Sequence, residues 1–407
     1  MPDTRTYALV TAAYWGFTLT DGALRMLVLL HFHELGYTAV NLAFLFLLYE
    51  FCGIVTNLFG GWVGARWGLR ITLFSGLALQ VGALVMLSFV QPWWAAWLSV
   101  SYVMASQALS GVAKDLTKMS SKSAIKLVVK GTGEAETQST LFKWVAILTG
   151  SKNALKGLGF LLGGVLLSWL GFAPSLWAMA GGLALVLVLA LVTIRKEMGK
   201  SVARIRFSQL FAKSPEINAL SLARFFLFGS RDIWFVVGLP VFLSAQLGWS
   251  HSGVGGFLAA WVIGYGCVQA IAPRVANRRG GAASGARAAQ LWGFLLFAVS
   301  TALATAIQID FQPAASIMVG LGIFGVVFAV NSSVHSYLIL AYTGDDQVAL
   351  NVGFYYMANA CGRLVGTLLS GVMYLAGGLA ACLWTSAGFV LAAAALPFLL
   401  SRKPPAT

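Results

Sequence analysis

Apolar runs of about twenty residues recur along nearly the whole length of this 407-residue chain. Lipid offers no hydrogen-bond partner to backbone N–H and C=O groups, so such a run is stable there only as a helix that satisfies its own backbone. Hydrophobic residues make up 59% of the chain and charged residues only 10%, a balance foreign to soluble domains of this size. The sequence therefore predicts an all-α polytopic membrane protein.

Twelve transmembrane spans are predicted from these runs. They lie near residues 7–31, 40–64, 70–90, 93–113, 138–170, 173–194, 216–245, 252–275, 287–308, 313–340, 347–376 and 379–401. The first run begins near Tyr7, contains charged residues and lacks a small-residue cleavage pattern. We therefore expect it to be a retained first span and not a removable signal peptide.

The basic loop residues predict the orientation of the chain. Lys and Arg concentrate in segments that follow even-numbered spans and at the C-terminus, whereas segments after odd-numbered spans have none. Because basic loops stay in the cytoplasm, both termini are expected there. The same rule accounts for the net charge of +14, so no nucleic-acid partner is expected.

One of these basic segments contains a lysine ladder with a period of four residues. Its members are Lys114, Lys118, Lys122, Lys126 and Lys130. The spacing predicts a cytoplasmic helix with a solvated or headgroup-facing side. A funnel that attracts anions from the cytoplasm is the alternative interpretation.

The two halves of the chain resemble each other. A polar, basic linker at residues 195–215 separates an N-terminal bundle (1–194) from a C-terminal bundle (216–407). Span 5 contains NALKGLGFLLGG from Asn153, and span 11 contains NACGRLVGTLLSG from Asn359. Two parallel six-helix bundles that flank a midplane site are the design of major facilitator transporters. The sequence thus predicts that fold.

The loop between spans 2 and 3 also resembles the major facilitator pattern. It reads GGWVGARWGLR from Gly60, and Gly61, Arg66 and Gly68 match the loop signature of the superfamily. Ala65 stands where the superfamily has an acid. The resemblance implies the same fold with a modified loop.

Charged residues inside the predicted spans are the strongest functional signal. A charge near the bilayer centre costs roughly 3 to 10 kcal/mol or more, so it marks a functional site unless it only locks helices together. Nine acidic and basic residues fall inside the spans rather than at their ends: Asp21, Arg25, Glu50, Lys152, Lys156, Arg224, Arg231, Asp232 and Arg363. Cations outnumber acids by six to three, which predicts a cavity for an anionic substrate.

Two pairs of these charges are close in sequence. Asp21 and Arg25 are four residues apart, share a helix face and can pair. Arg231 and Asp232 are adjacent and diverge by about 100° around a helix, so their pairing is expected to be poor. Arg231 is therefore predicted to be the cation more available to a ligand.

Substrate-binding residues are predicted from their charge, their hydrogen-bonding capacity and their position within the predicted spans. Arginine presents a planar fork of donors that binds carboxylate and phosphate-like oxygens. Lys152 and Lys156 lie on one face, and the sequence has no acid within one turn of either. The predicted set is Arg25, Arg231, Lys152, Lys156, Arg363, Asn359, Tyr355 and Asn331. For the uncharged members, satisfied packing is an equally good interpretation.

Proton coupling is assigned to acids and one histidine inside the spans. Glu50 is the most isolated acid, and a desolvated carboxylate can exchange protons near neutral pH. The predicted proton-coupling or ion-pairing residues are Asp21, Glu50, Asp232 and His335. The four cysteines lack CxxC spacing, so neither a disulfide nor a metal site is expected, and no cofactor is expected.

Five blocks of the sequence resemble a narrower family. They are YWGFTLTDGALRMLVLLHFH from Tyr14, ALSGVAKDLTKMSSKSAIK from Ala108, FKWVAILTGSKNALKG from Phe142, RFFLFGSRDIWFVVGLPVFL from Arg224 and NVGFYYMANACGRLVGTLLSG from Asn351. These blocks are similar to the organoarsenical-efflux permeases of arsenic-resistance operons, the ArsJ type. The resemblance implies an exporter of 1-arseno-3-phosphoglycerate in the bacterial inner membrane, and the resemblance to the major facilitator superfamily implies a monomer. In that pathway a glyceraldehyde-3-phosphate dehydrogenase makes the substrate from arsenate.

Other transport classes fit part of the sequence. An organophosphate–phosphate exchanger would use the same cations, and Arg25 and Arg231 resemble the arginines of the first and seventh spans that bind phosphate in such antiporters. A multidrug exporter fits less well, because its cavity should hold few cations. Its proline-containing antiporter motif is also missing from span 5, which reads GFLLGG from Gly159. Proton antiport and anion exchange both stay open as the energy source, and no enzymatic activity is expected.

Overall fold

The chain folds into helices throughout the residues that the structure describes. The structure is a computed structural model, and it describes residues 4–67, 69–124, 134–194, 214–276, 282–342 and 348–400. The helices in these ranges are α1 (Thr4–Glu34), α2 (Ala39–Trp67), α3 (Leu69–Ser88), α4 (Ala96–Ala124), α5 (Glu134–Leu170), α6 (Phe172–Thr193), α7 (Pro215–Phe235), α8 (Gly238–Val241), α9 (His251–Ala276), α10 (Ala282–Gln308), α11 (Pro313–Ala341) and α12 (Val348–Ala395). A π-helical turn, Phe242–Gln246, follows α8, and a 3-10 turn, Leu396–Leu399, follows α12. The predicted all-α fold is confirmed.

Nine helical segments in these ranges are long and apolar enough to cross a membrane. The long helices outside this set are α1, which carries Asp21 and Arg25, and α4, whose last part is rich in lysine and serine. The chain is thus a multi-pass membrane protein, as predicted. The number of twelve spans and the cytoplasmic location of both termini remain predictions.

The last two predicted spans, 347–376 and 379–401, form one helix, α12, that is interrupted by two glycines. Gly377 and Gly378 leave helical geometry, and Gly378 has φ 63° and ψ −156°. Glycine adopts a positive φ at little cost because it has no Cβ. The glycine pair therefore separates two helical arms at the position where the sequence predicts a loop.

The seventh predicted span, 216–245, is also interrupted. Its interior contains Pro240, which has no N–H to donate to a helix, and α7 ends before this residue. The N–H groups of Val237 and Gly238 each donate to the hydroxyl of Ser370 on α12 at 3.1 Å. These two bonds satisfy donors that the break would otherwise leave buried and unpaired.

The helices group into two compact units. Unit 1 comprises Met1–Leu35, Phe51–Arg204 and Ser250–Ile263, and unit 2 comprises Gly36–Glu50, Ile205–Trp249 and Gly264–Thr407. Each unit thus holds most of one half of the sequence and a short piece of the other. The division into bundles 1–194 and 216–407 remains a prediction, because grouping by contact does not define folding domains.

In each unit, glycine contacts join one pair of helices in the same way. In unit 1, a Cβ on Gly159 of α5 would lie 3.0 Å from the Cα of Gly22 on α1. In unit 2, a Cβ on Gly366 of α12 would lie 3.2 Å from the Cα of Gly229 on α7. The separation in sequence between Gly22 and Gly159 equals that between Gly229 and Gly366. Small residues allow such close backbone approach in membranes, so the predicted sequence repeat has a structural counterpart.

Two half-helices pack with helices from the other half of the sequence. The first part of α2 belongs to unit 2, where a Cβ on Gly371 of α12 would lie 2.7 Å from the Cβ of Ala43. The first part of α9 belongs to unit 1, where a Cβ on Gly164 of α5 would lie 3.0 Å from the carbonyl carbon of His251. The offset in sequence from Gly164 to Gly371 equals that from Gly22 to Gly229 and from Gly159 to Gly366. These contacts are therefore also equivalent in the repeat.

Candidate functional site

Unit 2 contains four charged side chains that bond in series, which we call the charge chain. Arg231 donates through Nε to Oδ1 of Asp232 at 2.7 Å and through Nη2 to the same oxygen. Arg363 donates through Nε to Oδ2 of Asp232 at 3.1 Å and through Nη2 to Oε1 of Glu50 at 2.5 Å. The order is thus Arg231, Asp232, Arg363 and Glu50. With every group ionised, the formal charges cancel.

The carboxylates of the charge chain are hidden, whereas its guanidinium groups are partly accessible. The side chains of Asp232 and Glu50 are each 1% exposed, but those of Arg231 and Arg363 are 16% and 19% exposed. An anion that reaches this part of unit 2 therefore meets the arginines first. Both arginines already hold carboxylate oxygens, so their geometry suits the oxygens of a carboxylate or phosphate ligand.

Two predictions about the charge chain are wrong. Arg231 is predicted to pair poorly with Asp232, yet two of its nitrogens bond to that carboxylate. The long arginine side chain can fold back over its neighbour, although the Cα–Cβ directions of the two residues diverge. Glu50 is predicted to be isolated, yet it bonds to Arg363, 313 residues further along. The pattern of residues on a helix face relates only positions a few residues apart in sequence, so it does not predict such a pair.

The predicted polar residues of α11 and α12 also lie in unit 2. On α12, Asn359 lies one turn before Arg363, and its Oδ1 is buried without a hydrogen-bond partner in the described part of the chain. On α11, Asn331 and His335 are 0% exposed, and their side-chain nitrogen and oxygen atoms likewise lack partners among the described residues. Buried polar groups are normally hydrogen-bonded. These residues therefore point to ordered water or a ligand.

The remaining predicted site residues lie in unit 1. Asp21 and Arg25 on α1 are each 7% exposed, and Lys152 and Lys156 on α5 are half-buried. The two helices meet beside these charges, since a Cβ on Gly22 would lie 2.7 Å from the carbonyl oxygen of Lys156. The pairing of Asp21 with Arg25 and the contact of the four side chains with substrate remain predictions.

Comparison with protein families agrees with the helical architecture. The model of the Major Facilitator Superfamily matches residues 7–281 and 220–407, which together span nearly the whole chain. The chain belongs to the major facilitator superfamily. A comparison with curated proteins gives no match. Membership of the superfamily makes the protein a secondary transporter.

In this major facilitator protein, the close-contact glycines of α1 and α7 each precede a charged residue by three positions. Arg25 follows Gly22 on α1, and Asp232 follows Gly229 on α7. The glycines set how closely the helix backbones approach each other beside these charges. Equivalent positions of the two halves thus carry opposite charges, and the acid of unit 2 is the centre of the charge chain.

The first part of the lysine ladder is only partly solvated. Lys118 Nζ lies 3.3 Å from Oδ1 of Asp115, and the lysine side chain is 24% exposed. Asp115 also accepts a hydrogen bond from the hydroxyl of Thr56 on α2. Burial alone would raise the pKa of Asp115, but the charges of Lys118 and Lys114, together with the Thr56 bond, bring this pKa below its ordinary value. Lys118 is thus only partly solvated, and Asp115, the residue that it pairs with, bonds α4 to α2.

The rest of the ladder cannot be compared with its prediction. The side chain of Lys122 and the whole of Lys126 and Lys130 lie outside the described residues.

One feature of unit 2 is absent from the predicted site residues. Arg224 lies over the ring of Phe228, with 4.0 Å between the guanidinium carbon and the ring centroid. Arg231 approaches the same ring at 5.2 Å. Arg224, Phe228 and Arg231 occupy positions i, i+4 and i+7 of α7, which share a helix face. This spacing is the sequence signal that could have predicted the arrangement.

Proposed function

We propose that this transporter exports an organic anion, 1-arseno-3-phosphoglycerate, and thereby confers resistance to arsenate. The observation that carries the proposal is the charge chain, in which two partly exposed arginines hold two buried carboxylates. The substrate has an arsenate group at one end and a phosphate at the other, so its oxygens can replace those carboxylates. The sequence blocks similar to organoarsenical-efflux permeases support this choice among organic anions.

In the proposed cycle, the substrate displaces carboxylate oxygens from Arg231 and Arg363. One oxyanion replaces another, so the arginines are never buried without a counter-charge, which would be strongly destabilising. The displaced Asp232 and Glu50 then become able to take up protons, which offers a route to proton coupling. Loss of the Glu50–Arg363 bond also removes one of the contacts between α2 and α12, so binding is linked to rearrangement of these helices.

The proposal extends to the rest of the transporter. Arg25, Lys152 and Lys156 of unit 1 would supply the remaining positive charge for a substrate of several negative charges. Alternating access would then expose the anion to each side of a bacterial inner membrane in turn. We propose a monomer with protons and the anionic substrate as its partners.

An organophosphate–phosphate exchanger is the alternative function. Arg231 and Arg363 would bind inorganic phosphate by the same bidentate contacts, so the charge chain suits both. A multidrug exporter is less well supported, since its substrates are commonly cationic or neutral and would not compete for arginines.

Everted membrane vesicles that contain the protein separate these functions. Glyceraldehyde 3-phosphate, arsenate, NAD and a glyceraldehyde-3-phosphate dehydrogenase outside the vesicles generate the arsenical in place. We expect arsenic to accumulate inside only when all four are present, and faster with an imposed proton gradient. Vesicles with the variant Arg363→Gln serve as the control.

Each outcome has a definite meaning. Accumulation that needs the complete mixture supports arsenical export, and its dependence on the gradient supports proton coupling. Absence of arsenic uptake, combined with phosphate counterflow in vesicles preloaded with phosphate, would refute export and favour the exchanger.

A further inference from the structure

Arg224 is a buried cation without a counter-charge in the described part of the chain. It is 4% exposed, and its Nη1 donates to the carbonyl oxygen and to the hydroxyl of Ser332, each at 3.0 Å. Its Nε is buried and has no hydrogen-bond partner among the described residues. The guanidinium carbon lies 4.0 Å from the ring centroid of Phe228 and 5.0 Å from that of Tyr355. A buried, uncompensated cation is strongly unfavourable, so this position would be stabilised by a bound anion.

The face of α11 that meets Arg224 carries two further unsatisfied residues. Ser332 bonds to Arg224, and the ring of Phe328 lies 5.3 Å from that of Phe228, so this face points to α7. Asn331 and His335 fall on the same face, because positions i, i+3, i+4 and i+7 of a helix lie on one side. Both are fully buried, and none of their side-chain polar atoms has a partner in the described chain. A cation, an amide and an imidazole thus converge without an acid among them.

The position of Arg224 relative to the charge chain suggests what the anion is. Arg224 and Arg231 both approach the ring of Phe228, at 4.0 and 5.2 Å. They are two helical turns apart, which is about 10 Å along α7. Along α12, Asn359 lies between Tyr355, which contacts Arg224, and Arg363 of the charge chain. Two cationic ends are therefore connected by a stripe of polar and aromatic side chains.

We infer that Arg224, Asn331 and His335 form a second anion subsite that binds a tetrahedral oxyanion, phosphate or arsenate, at the far end of a substrate whose other anionic group is held by Arg231 and Arg363. The subsite rests on the proposed function, since it assumes that the substrate is an organic anion. It adds a selection rule to that function: the preferred substrate carries an anionic group at each end of a short carbon chain.

The test measures binding to the purified full-length protein in detergent by titration calorimetry. The probes are propane-1,3-diol bisphosphate and propyl phosphate, which differ only in the second phosphate. We expect the wild type to bind the bisphosphate at least tenfold more tightly. In Arg224→Gln the affinity for the bisphosphate should fall by about 10- to 100-fold, to that for propyl phosphate, because one set of charge-assisted hydrogen bonds is lost. Propyl phosphate itself should bind unchanged.

Two further variants make the result specific. Arg231→Gln should lower the affinity for both probes, because this substitution alters the site of the phosphate that the two probes share. Asn331→Leu should reduce only the bisphosphate affinity. A structural role for Arg224 predicts that Arg224→Gln lowers the midpoint of thermal unfolding without ligand, whereas an anion subsite predicts that this midpoint is unchanged or rises.

The outcomes separate the subsite from the proposed function. If the wild type binds both probes equally, or if Arg224→Gln leaves the bisphosphate affinity unchanged, the subsite is refuted and the cluster is a water-filled part of the structure. If the wild type binds neither probe, the organic-anion function fails and the subsite fails with it. If Arg224→Gln loses the tighter binding of the bisphosphate while its affinity for propyl phosphate is unchanged, the subsite and the organic-anion function are both supported.

Discussion

At the scale of single residues, the charge chain depends on the shape of arginine as well as on its charge. Arg231 uses two nitrogens on one carboxylate, and its guanidinium also lies near the rings of Phe228 and Phe328. A lysine ammonium is a compact point charge without a planar fork. It could keep the charge at this position but not the geometry.

We therefore predict that Arg231→Lys impairs export although the charge is conserved. The loss of one charge-assisted hydrogen bond, worth about 1.5–3 kcal/mol, should lower the uptake rate at low substrate concentration by roughly 10- to 100-fold. Initial rates in everted vesicles provide the measurement, with Arg70→Lys on α3 as the matched control. Normal export by Arg231→Lys would remove this residue from the substrate site.

A second prediction at this scale concerns the Glu50–Arg363 pair. Glu50→Gln removes one of the two carboxylates that Arg363 contacts, which costs up to about 3–5 kcal/mol, so the midpoint of thermal unfolding in detergent should fall. The double variant Glu50→Gln/Arg363→Gln should lose less stability than the two single variants together. Additive losses would show that the two side chains do not interact.

The same Glu50→Gln variant tests proton coupling. A glutamine cannot take up the proton that the displaced carboxylate is proposed to receive, so export should become independent of the imposed pH gradient. An unchanged response to the gradient in vesicles would exclude Glu50 as the coupling residue.

At the scale of helices, glycines set the spacing of α7 and α12. A Cβ on Gly366 would lie 2.7 Å from the carbonyl oxygen of Gly229, and a backbone atom cannot move aside as a side chain can. We expect Gly366→Ala to destabilise the protein by about 1–3 kcal/mol through overpacking. Gly353→Ala, on the same helix and with no atom within 4 Å of the added Cβ, should leave the unfolding midpoint unchanged or slightly higher. Equal effects of both variants would refute the close-contact explanation.

Much of this element-level architecture can be predicted from the sequence, because it depends on local patterns. Apolar length indicates the membrane helices, and Gly377 and Gly378 fall between two predicted spans. The site is harder to predict because its contacts are tertiary. Glu50 gives no local sign of Arg363, and the rotamer of Arg231, which sequence does not determine, decides its partner. Intramembrane charge locates the residues but does not say which of them meet.

At the scale of the whole molecule, α2 and α9 each contact helices from the other half of the sequence. These contacts run through Gly371 on α12 and Gly164 on α5. In the proposed alternating-access cycle, movement of one bundle against the other would have to break and remake them. The two contacts occupy equivalent positions in the repeat, so the same perturbation at either should have a similar effect.

We predict that Gly371→Leu and Gly164→Leu lower export to similar extents. An overpacking energy of about 1–3 kcal/mol corresponds to a roughly 5- to 150-fold shift of the conformational equilibrium. Initial uptake rates check this, with Gly388→Leu on α12, where no atom lies within 4 Å of an added Cβ, as the control. A large effect at one glycine and none at the other would contradict the equivalence.

The Glu50–Arg363 bond has a consequence for how the protein is made. Its partners lie 313 residues apart, and ribosomes add about 5–20 residues per second, so Glu50 is synthesised roughly 15–60 s before Arg363 exists. For that interval the nascent chain contains an acid whose bonding partner on α12 has not yet been made. A chain truncated before α12 should therefore be degraded faster in pulse–chase experiments than the full-length chain, and Glu50→Gln should lengthen the lifetime of the truncated form. Unchanged lifetimes would show that the missing Glu50–Arg363 bond is not what marks the truncated chain for degradation.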